Sequence, residues 1–371
     1  MTDYTDDYQN RGIWVNALNN GSANNPKYKQ PQMGKKIPID LSFAFHTDAG
    51  FSMNDSIVGT LAIYTPFAND MKGTTYPDGS SKMTARDYCD IVQTQIVNDV
   101  KAQFEPNWNR RMLWQSNYAE SRIAEVPAML LELLSHENFA DMRYGLDPNF
   151  RFTVSRAIYK GMLKYLSYRY GVKYVVAPLP VKSFYAQLTG ENNVHLAWKA
   201  VDDPLEPTAD ASRYIVYTRV DDGGFDNGRV VSSPSADVAI VPGHIYSYKV
   251  EALNDGGKSF PSEILSVGVP KGKSKGTVLV VNCFDRVSAP ASYATRDTSR
   301  AGFDFMTDNG VPYIRDISTI GEQHEYRRNV PWADDDAPGF GASYADLETK
   351  VIAGNTFDYP KVHGAAFLKK G

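Results

Sequence analysis

Ile37-Pro38-Ile39-Asp40-Leu41-Ser42-Phe43-Ala44-Phe45-His46, running into Thr47-Asp48-Ala49-Gly50, decides the reading of the first part of the chain. Its apolar residues read as a buried strand that ends in a polar tip. A histidine at such a tip is fixed by the sheet while its ring reaches a cleft, which suits it to hold a metal. On the amino-terminal side, Arg11 to Leu18 reads as a helix in which Ile13, Trp14, Ala17 and Leu18 can share one face. A loop of Asn, Gly, Pro and Lys follows, from Asn19 to Lys36. On the other side, Ser56 to Tyr64 reads as a second strand. Thr84 to Phe104 is an amphipathic helix, with Tyr88, Ile91, Val92, Ile96, Val100 and Phe104 at helical spacing. Phe152 to Tyr170 is another, stopped by Gly171.

Pro127 to Leu134 (PAMLLELL) is an apolar run broken by one carboxylate, Glu132. A carboxylate in such surroundings is either paired or has a raised pKa, as a general acid or base requires. His136, just past the run, reads as a loop residue. Ala177-Pro178-Leu179-Pro180 then forms a linker, and the character of the sequence changes. Val194 to Trp198, Tyr214 to Tyr217 and Tyr246 to Ala252 alternate as strands do, with Gly, Asp, Asn and Pro between them. That pattern predicts a β-sandwich of roughly 90 residues.

With 371 residues the chain is too long for one ordinary core, so two or three domains are expected. Formal net charge is -4 and Lys and Arg are scattered, which gives nucleic-acid binding no electrostatic support. Aromatics reach 12%, with 23 Tyr, which suits β-rich modules or surfaces that stack on sugar rings. Two cysteines, Cys89 and Cys283, provide neither a disulfide framework nor a cysteine metal site. No apolar run reaches the ~20 residues that span a bilayer, and the acidic start Met1 to Asp7 is not a signal peptide.

Two of these features together carry a resemblance. Phe45-His46-Thr47-Asp48-Ala49 is similar to the late H-x-N-A motif of zinc-dependent N-acetylmuramoyl-L-alanine amidases, with Asp in place of Asn. Pro127-Ala128-Met129-Leu130-Leu131-Glu132 matches the P-A-x-L-x-E motif of that family. Leu133-Leu134-Ser135 follows where the family has Gly-Phe-Leu-Ser, and Arg11 and Asn16 resemble the helix that precedes its histidine strand. The resemblance covers about half of the chain. It implies a cell-wall hydrolase that cleaves the amide between muramic acid and the stem peptide. His46 would ligate Zn2+, Glu132 would be the catalytic carboxylate, and Asp48 would orient the loop or His46 from behind. The family also carries an earlier His and Glu ligand. No histidine precedes His46 here, so the expectation is a domain lacking its amino-terminal part, or a non-catalytic relative.

Residues 182–270 resemble a fibronectin type III module. Trp198 matches its early core tryptophan, and Ile240-Val241-Pro242-Gly243-His244-Ile245-Tyr246 matches its tyrosine corner. In the tail, Thr277 to Asn282 (TVLVVN) reads as a parallel-type strand. Ser343 to Lys350 reads as a helix feeding a strand at Val351-Ile352-Ala353-Gly354. Cys283 reads as a structural thiol and Trp332 to Pro338 as a solvated acidic loop rather than a calcium site.

The expected fold is therefore multidomain, α/β plus all-β. It comprises a partial α/β amidase-like domain over 1–180, a fibronectin III β-sandwich over 182–270 and a partial α/β segment over 276–371. This order of segments resembles secreted bacterial proteins labelled xanthan lyase. The partners implied are peptidoglycan or another cell-surface glycan, and the location implied is periplasmic or extracellular. The alternative is a non-catalytic cell-envelope or glycan-binding protein, or part of a polysaccharide-degrading one.

Overall fold

A computed structural model describes residues 3–19, 34–50, 52, 56–68, 73–281, 291–294, 296, 300–304, 317–319, 326–327, 351–353 and 359–370. The chain divides into two compact units between Val172 and Lys173, and stretches of the tail group with each of them.

The first unit is built on a mixed four-stranded sheet in the order β1-β4-β2-β3. Its strands are β1 (Ser42–Asp48), β2 (Thr60–Tyr64), β3 (Arg110–Gln115) and β4 (Ala128–Ser135). The helices are α1 (Asp3–Leu18), α2 (Thr84–Gln103), α3 (Ala119–Arg122), α4 (Phe139–Gly145) and α5 (Pro148–Tyr170). The run that sequence patterning left unassigned, 127–134, is the central strand β4, buried at every position but Glu132. β3 and α4 had no clear periodic signature and were not expected.

The histidine strand differs from its expectation. It begins at Ser42, not Ile37, and lies at the edge of the sheet, only partly buried. The ladder to β4 opens where Ser42 N–H donates to Pro127 O at 3.0 Å. Before it, Pro38 has no N–H to give and Ile37 is exposed.

Helices α2 and α5 pack closely together. A Cβ on Gly161 would sit 2.8 Å from Val92 Cα, so glycine is what allows the two backbones to approach. Across the same interface, buried Lys160 pairs with buried Asp99 at 2.6 Å. α5 starts on Asp147, whose carboxylate caps Asn149 N–H, with Pro148 in the first turn. It ends on Gly171 at φ +65°.

The second unit holds the expected β-sandwich. One sheet is β5 (Lys182–Leu188), β6 (Asn193–Lys199) and β9 (Ser235–Ala239), in the order β5-β6-β9. The other runs β11-β10-β7-β8, with β12 also paired to β10. Its strands are β7 (Arg213–Val220), β8 (Arg229–Val231), β10 (Ile245–Asn254), β11 (Gly257–Lys258) and β12 (Leu265–Gly268). Every pairing in both sheets is antiparallel. Inward residues from both sheets, Phe184, Val194, Leu196, Trp198, Val216, Tyr248 and Val250 among them, form one core. Tyr246 closes the corner: its ring is buried and its hydroxyl accepts Val241 N–H at 3.1 Å.

In the tail, β13 (Ala291–Ala294) and β16 (Tyr326–Arg327) flank β14 (Arg300–Asp304). β15 (Ile317–Thr319) pairs antiparallel with β17 (Val351–Ala353), so a strand does form at the expected 351–353. α6 (Tyr359–Lys370) packs on β12 and β10. The parallel strand expected from Thr277 is not formed over its described residues, 277–281. No described strand pairs with them, and Val278, Leu279 and Val281 are exposed. Asn282, Cys283, Trp332–Pro338 and Ser343–Lys350 lie outside the described residues.

Candidate functional site

The parallel ladder between β1 and β4 sets His46 directly opposite Glu132. Directly paired residues on neighbouring strands project to the same face, so the two residues singled out in sequence share one face near the ends of their strands. On the other side of β4, Leu61 of β2 is the register partner of Glu132. The order across the sheet is thus imidazole, carboxyl, leucine.

Burial governs the Glu132 carboxyl. Its Oε2 is buried and receives no hydrogen bond. Loss of hydration pushes its pKa up to about 7; the negative charges of Asp48 and Glu120 push the same way and the Arg111 guanidinium partly offsets them. Such a group holds or releases a proton near neutrality, as acid–base chemistry on an amide requires.

His46 sits in a three-way contact that local sequence did not reveal. Its Nε2 is 3.5 Å from Glu120 Oε1. Arg11 Nη1 donates to Glu120 Oε1 at 3.2 Å and lies 3.5 Å from His46 Nε2. Glu120, almost fully buried on the short helix α3, is the site residue that sequence reasoning missed. Ala119-Glu120-Ser121-Arg122 carries no pattern that would single it out; only the fold brings it to His46.

The helix residues in the resemblance acquire definite jobs. Asn16 clamps the chain ahead of β4: its Nδ2 donates to Ile123 O at 2.8 Å and its Oδ1 accepts Glu125 N–H at 2.7 Å. Gly12 lets α1 come close, since a Cβ there would lie 2.8 Å from the Ile123 Cβ. Together they set Arg11 over the end of β1. Beside it is a cavity of about 280 Å³ lined by Arg11, Val15, Phe43, Phe45, His46 and Glu120, among others.

Asp48 comes just past the point where the β1–β4 register shifts, with the extra residue on β4. Its Oδ1 accepts Ala49 N–H at 2.8 Å, and its Oδ2 accepts Arg111 Nη1 at 2.5 Å. Arg111 comes from β3, so this ion pair joins the two edge strands of the sheet. No contact between Asp48 and the His46 ring is present among the described residues. His136 lies in the turn after β4, on the expected loop, with Nδ1 3.0 Å from Thr47 Oγ1. Burial lowers its pKa, partly offset by its bond with Thr47 and by Asp48. The next residue, Glu137, is buried with both carboxyl oxygens unpaired, and burial followed by Asp48 pushes its pKa up to about 7.

A catalytic zinc normally takes three protein ligands and a water. Among the described residues no three His, Cys, Asp or Glu side chains are placed to hold a metal together. His46 and Glu120 approach as two donors, but the Arg11 guanidinium, a permanent cation, lies against both. The described residues do not fit a complete zinc centre. Among them, too, no helix is long and apolar enough to cross a membrane.

No family model matches the chain, and no curated protein matches it. Solved structures do. A structure titled "Myokine structure" is 15% identical over 26% of this chain and 100% of its own, with a TM-score of 0.22. The FN5 domain of Drosophila Lar is 22% identical over 26% of this chain and 100% of its own, with a TM-score of 0.21. Domains d3-d4 of the rat CD45 extracellular region are 18% identical over 25% of this chain and 49% of their own, with a TM-score of 0.22. The mixed α/β unit and the β-sandwich rest on their own strand orders and registers.

Proposed function

We propose that the first unit carries an amide-hydrolase site of the N-acetylmuramoyl-L-alanine amidase kind, directed at cell-wall peptidoglycan, with Glu132 as its proton-carrying carboxyl and His46 as its imidazole. The observation that supports this reading is the register pairing of His46 with Glu132 across β1 and β4. It brings the two halves of the sequence resemblance, 86 residues apart (132 − 46), onto one face.

In this reading the Glu132 carboxylate accepts a proton from the attacking water and returns it to the amine that leaves the muramoyl carbonyl. With its pKa near 7, both half-steps are accessible at neutral pH. Asp48 and Arg111 hold the loop after β1 and set the charge that Glu132 feels. Zinc, where bound, would polarise the carbonyl, with His46 as one ligand. Because the described donors do not complete a zinc centre, no step here passes through the metal. The reading also places the protein in the periplasm or outside the cell.

A second reading, a non-catalytic cell-envelope or glycan-binding protein, is favoured by one feature: the Arg11 guanidinium resting against both His46 and Glu120. Zinc content after exhaustive dialysis, measured with release of stem peptide from purified peptidoglycan, separates the two. The hydrolase reading expects peptide release by the parent chain and expects zinc, where it binds, to be lost in His46→Ala. It also expects peptide release that falls at least about 100-fold in Glu132→Gln while zinc is retained. A zinc-free chain that releases no peptide, yet sediments with peptidoglycan, would replace it with the binding reading.

A further inference from the structure

The sheet face that bears His46 and Glu132 extends onto β3, where two exposed aromatic rings have no part in the chemistry proposed above. Ala44, Leu130, Ile63 and Trp114 are successive register partners across β1, β4, β2 and β3, so they project to one face. Leu130 lies two residues before Glu132 and Ala44 two before His46, which makes this the face of the site. α3 packs on it and brings Glu120 to His46. Tyr118 immediately precedes α3, and its ring meets that of Trp114 at a centroid distance of 5.9 Å and an angle of 66°.

Both rings are open to solvent, Trp114 at 42% and Tyr118 at 38% exposure. Among the described residues the cations that lie over rings use other aromatics, so neither ring of this pair is already covered by one. The backbone that carries Tyr118 is tied down. Tyr118 N–H donates to Ser116 O at 3.1 Å, and Ser116 N–H to Tyr64 O at 3.2 Å. Ser121 Oγ donates to Tyr118 O at 3.3 Å and lies 2.7 Å from Thr65 Oγ1. The charges of the site are matched among themselves: Arg111 pairs with Asp48 and Arg11 with Glu120. Partial burial raises the pKa of the Tyr118 hydroxyl, followed by the charges of Glu132, Asp48 and Glu120, so the phenol stays a neutral donor within the field of the site.

We propose that Trp114 and Tyr118 form a subsite for a neutral sugar ring of the glycan strand, on the same sheet face as His46 and Glu132. Charge selects that occupant over the stem peptide. The peptide carries carboxylates, and Arg11 and Arg111 are both engaged already; an amide-linked muramoyl sugar and its neighbours are uncharged and need no cation. A sugar ring offers C–H groups to the indole and hydroxyls to the phenol. Two strand spacings across and two residues along put the Trp114 and Glu132 Cα atoms about 12 Å apart. A glycan strand whose muramoyl amide meets Glu132 can therefore run on to the pair. Because the chain around Tyr118 is held in advance, less conformational freedom is lost on binding. The identity of the sugar rests on the hydrolase reading, whereas the subsite itself is read by binding alone.

The test is equilibrium binding of the full chain to the tetramer of N-acetylglucosamine, with the free stem tetrapeptide as the charged alternative and peptide release from peptidoglycan assayed alongside. The expected result is binding of the sugar tetramer at millimolar concentration that weakens at least tenfold in Trp114→Ala and several-fold in Tyr118→Ala, with Tyr118→Phe between Tyr118→Ala and the parent. Tyr168→Ser, at a 70% exposed position on α5, should leave it unchanged. Urea unfolding verifies that each variant is folded as the parent is. Trp114-dependent binding without any peptide release would keep the subsite and remove the hydrolase reading. Peptide release together with sugar binding that ignores Trp114→Ala would keep the hydrolase reading and overturn the subsite. A folded parent chain that does not bind the tetramer, or that binds the stem tetrapeptide as tightly and through the same two rings, would overturn the subsite as well.

Discussion

The sandwich core and the polar end of the mixed sheet handle buried polar atoms in opposite ways. In the sandwich, neutral side chains meet backbone groups that the ladders leave over. Asn254 Nδ2 donates to the carbonyls of Val176, Thr208 and Asp210, at 2.8, 3.2 and 3.3 Å. Ser262 and Ser259 hydroxyls accept Val250 and Ala252 N–H, both at 2.9 Å. The buried atoms left unpaired in that core are neutral, Trp198 Nε1 and the Tyr248 hydroxyl. In and just after β4 of the mixed sheet, three carboxyl oxygens are buried without partners: one of Glu132 and both of Glu137. A neutral orphan costs about 1–3 kcal/mol, whereas an ionised one costs so much more that the group keeps its proton instead. The sandwich spends its burial on stability. The mixed sheet gives some of that up and gains carboxyls that titrate near neutral pH.

The comparison can be broken most sharply from the sandwich side. Trp198 is 4% exposed and packs edge-on against Phe184 and Tyr214 at centroid distances of 6.4 and 5.3 Å. Trp198→Ala is expected to destabilise that unit by about 3–5 kcal/mol in denaturant unfolding, leaving the transition of the first unit in place. Near-neutral behaviour would mean the two-sheet core is not what holds the unit together. A smaller effect is expected of Tyr246→Phe. It deletes the hydroxyl that accepts Val241 N–H and keeps the ring, so the loss should be about 1–2 kcal/mol, the cost of a stranded backbone donor. No measurable loss would mean that solvent or another acceptor already serves Val241.

How much of this was legible in the sequence follows from the same contrast. The sandwich announced itself because its signals are local: two-residue alternation in 194–198 and 246–252, and one corner whose hydroxyl bonds a residue five positions away. His46 and Glu132 were legible as residues, the first by its place at a strand tip and the second by its apolar surroundings. That they face each other depends on strand register between distant segments, which no local pattern encodes. Glu120 and Arg111 were invisible for that reason. Each sits in a stretch of ordinary polarity and reaches its partner, 74 and 63 positions away (120 − 46 and 111 − 48), only through the folded sheet. The apolar run at 277–281 failed in the opposite sense. Its composition suits an inner strand, yet a strand needs a neighbour to complete its hydrogen bonds, and none is present among the described residues.

The finest test asks whether the unpaired carboxyls behave as their burial requires. In the folded chain Glu137 titrates near 7, well above the ordinary carboxylate value of 4.5, with burial as the first cause and Asp48 as the second. A folded-state pKa above the unfolded one means that the fold favours the protonated form. Its contribution to stability is complete below about 4.5 and is lost as pH rises through about 7. Glu132 contributes with the same sign over the same window. His136 has the opposite sign: its lowered pKa favours the neutral ring, so it adds stability as pH rises through its ordinary range near 6.5. The lower part of the window, from about pH 4.5 to 6, therefore reports the glutamates with least interference. Over that interval the first unit should weaken in urea unfolding, and Glu137→Gln should remove part of the slope, about 1 kcal/mol, with little change at pH 4.5 where both forms are uncharged. Glu137→Gln leaves Glu132 untouched, so peptidoglycan hydrolysis, where it occurs, should keep its pH profile while the stability profile flattens. An unchanged stability slope would mean that Glu137 is ionised and paired in the folded chain, and the contrast between the two regions would then rest on Glu132 alone.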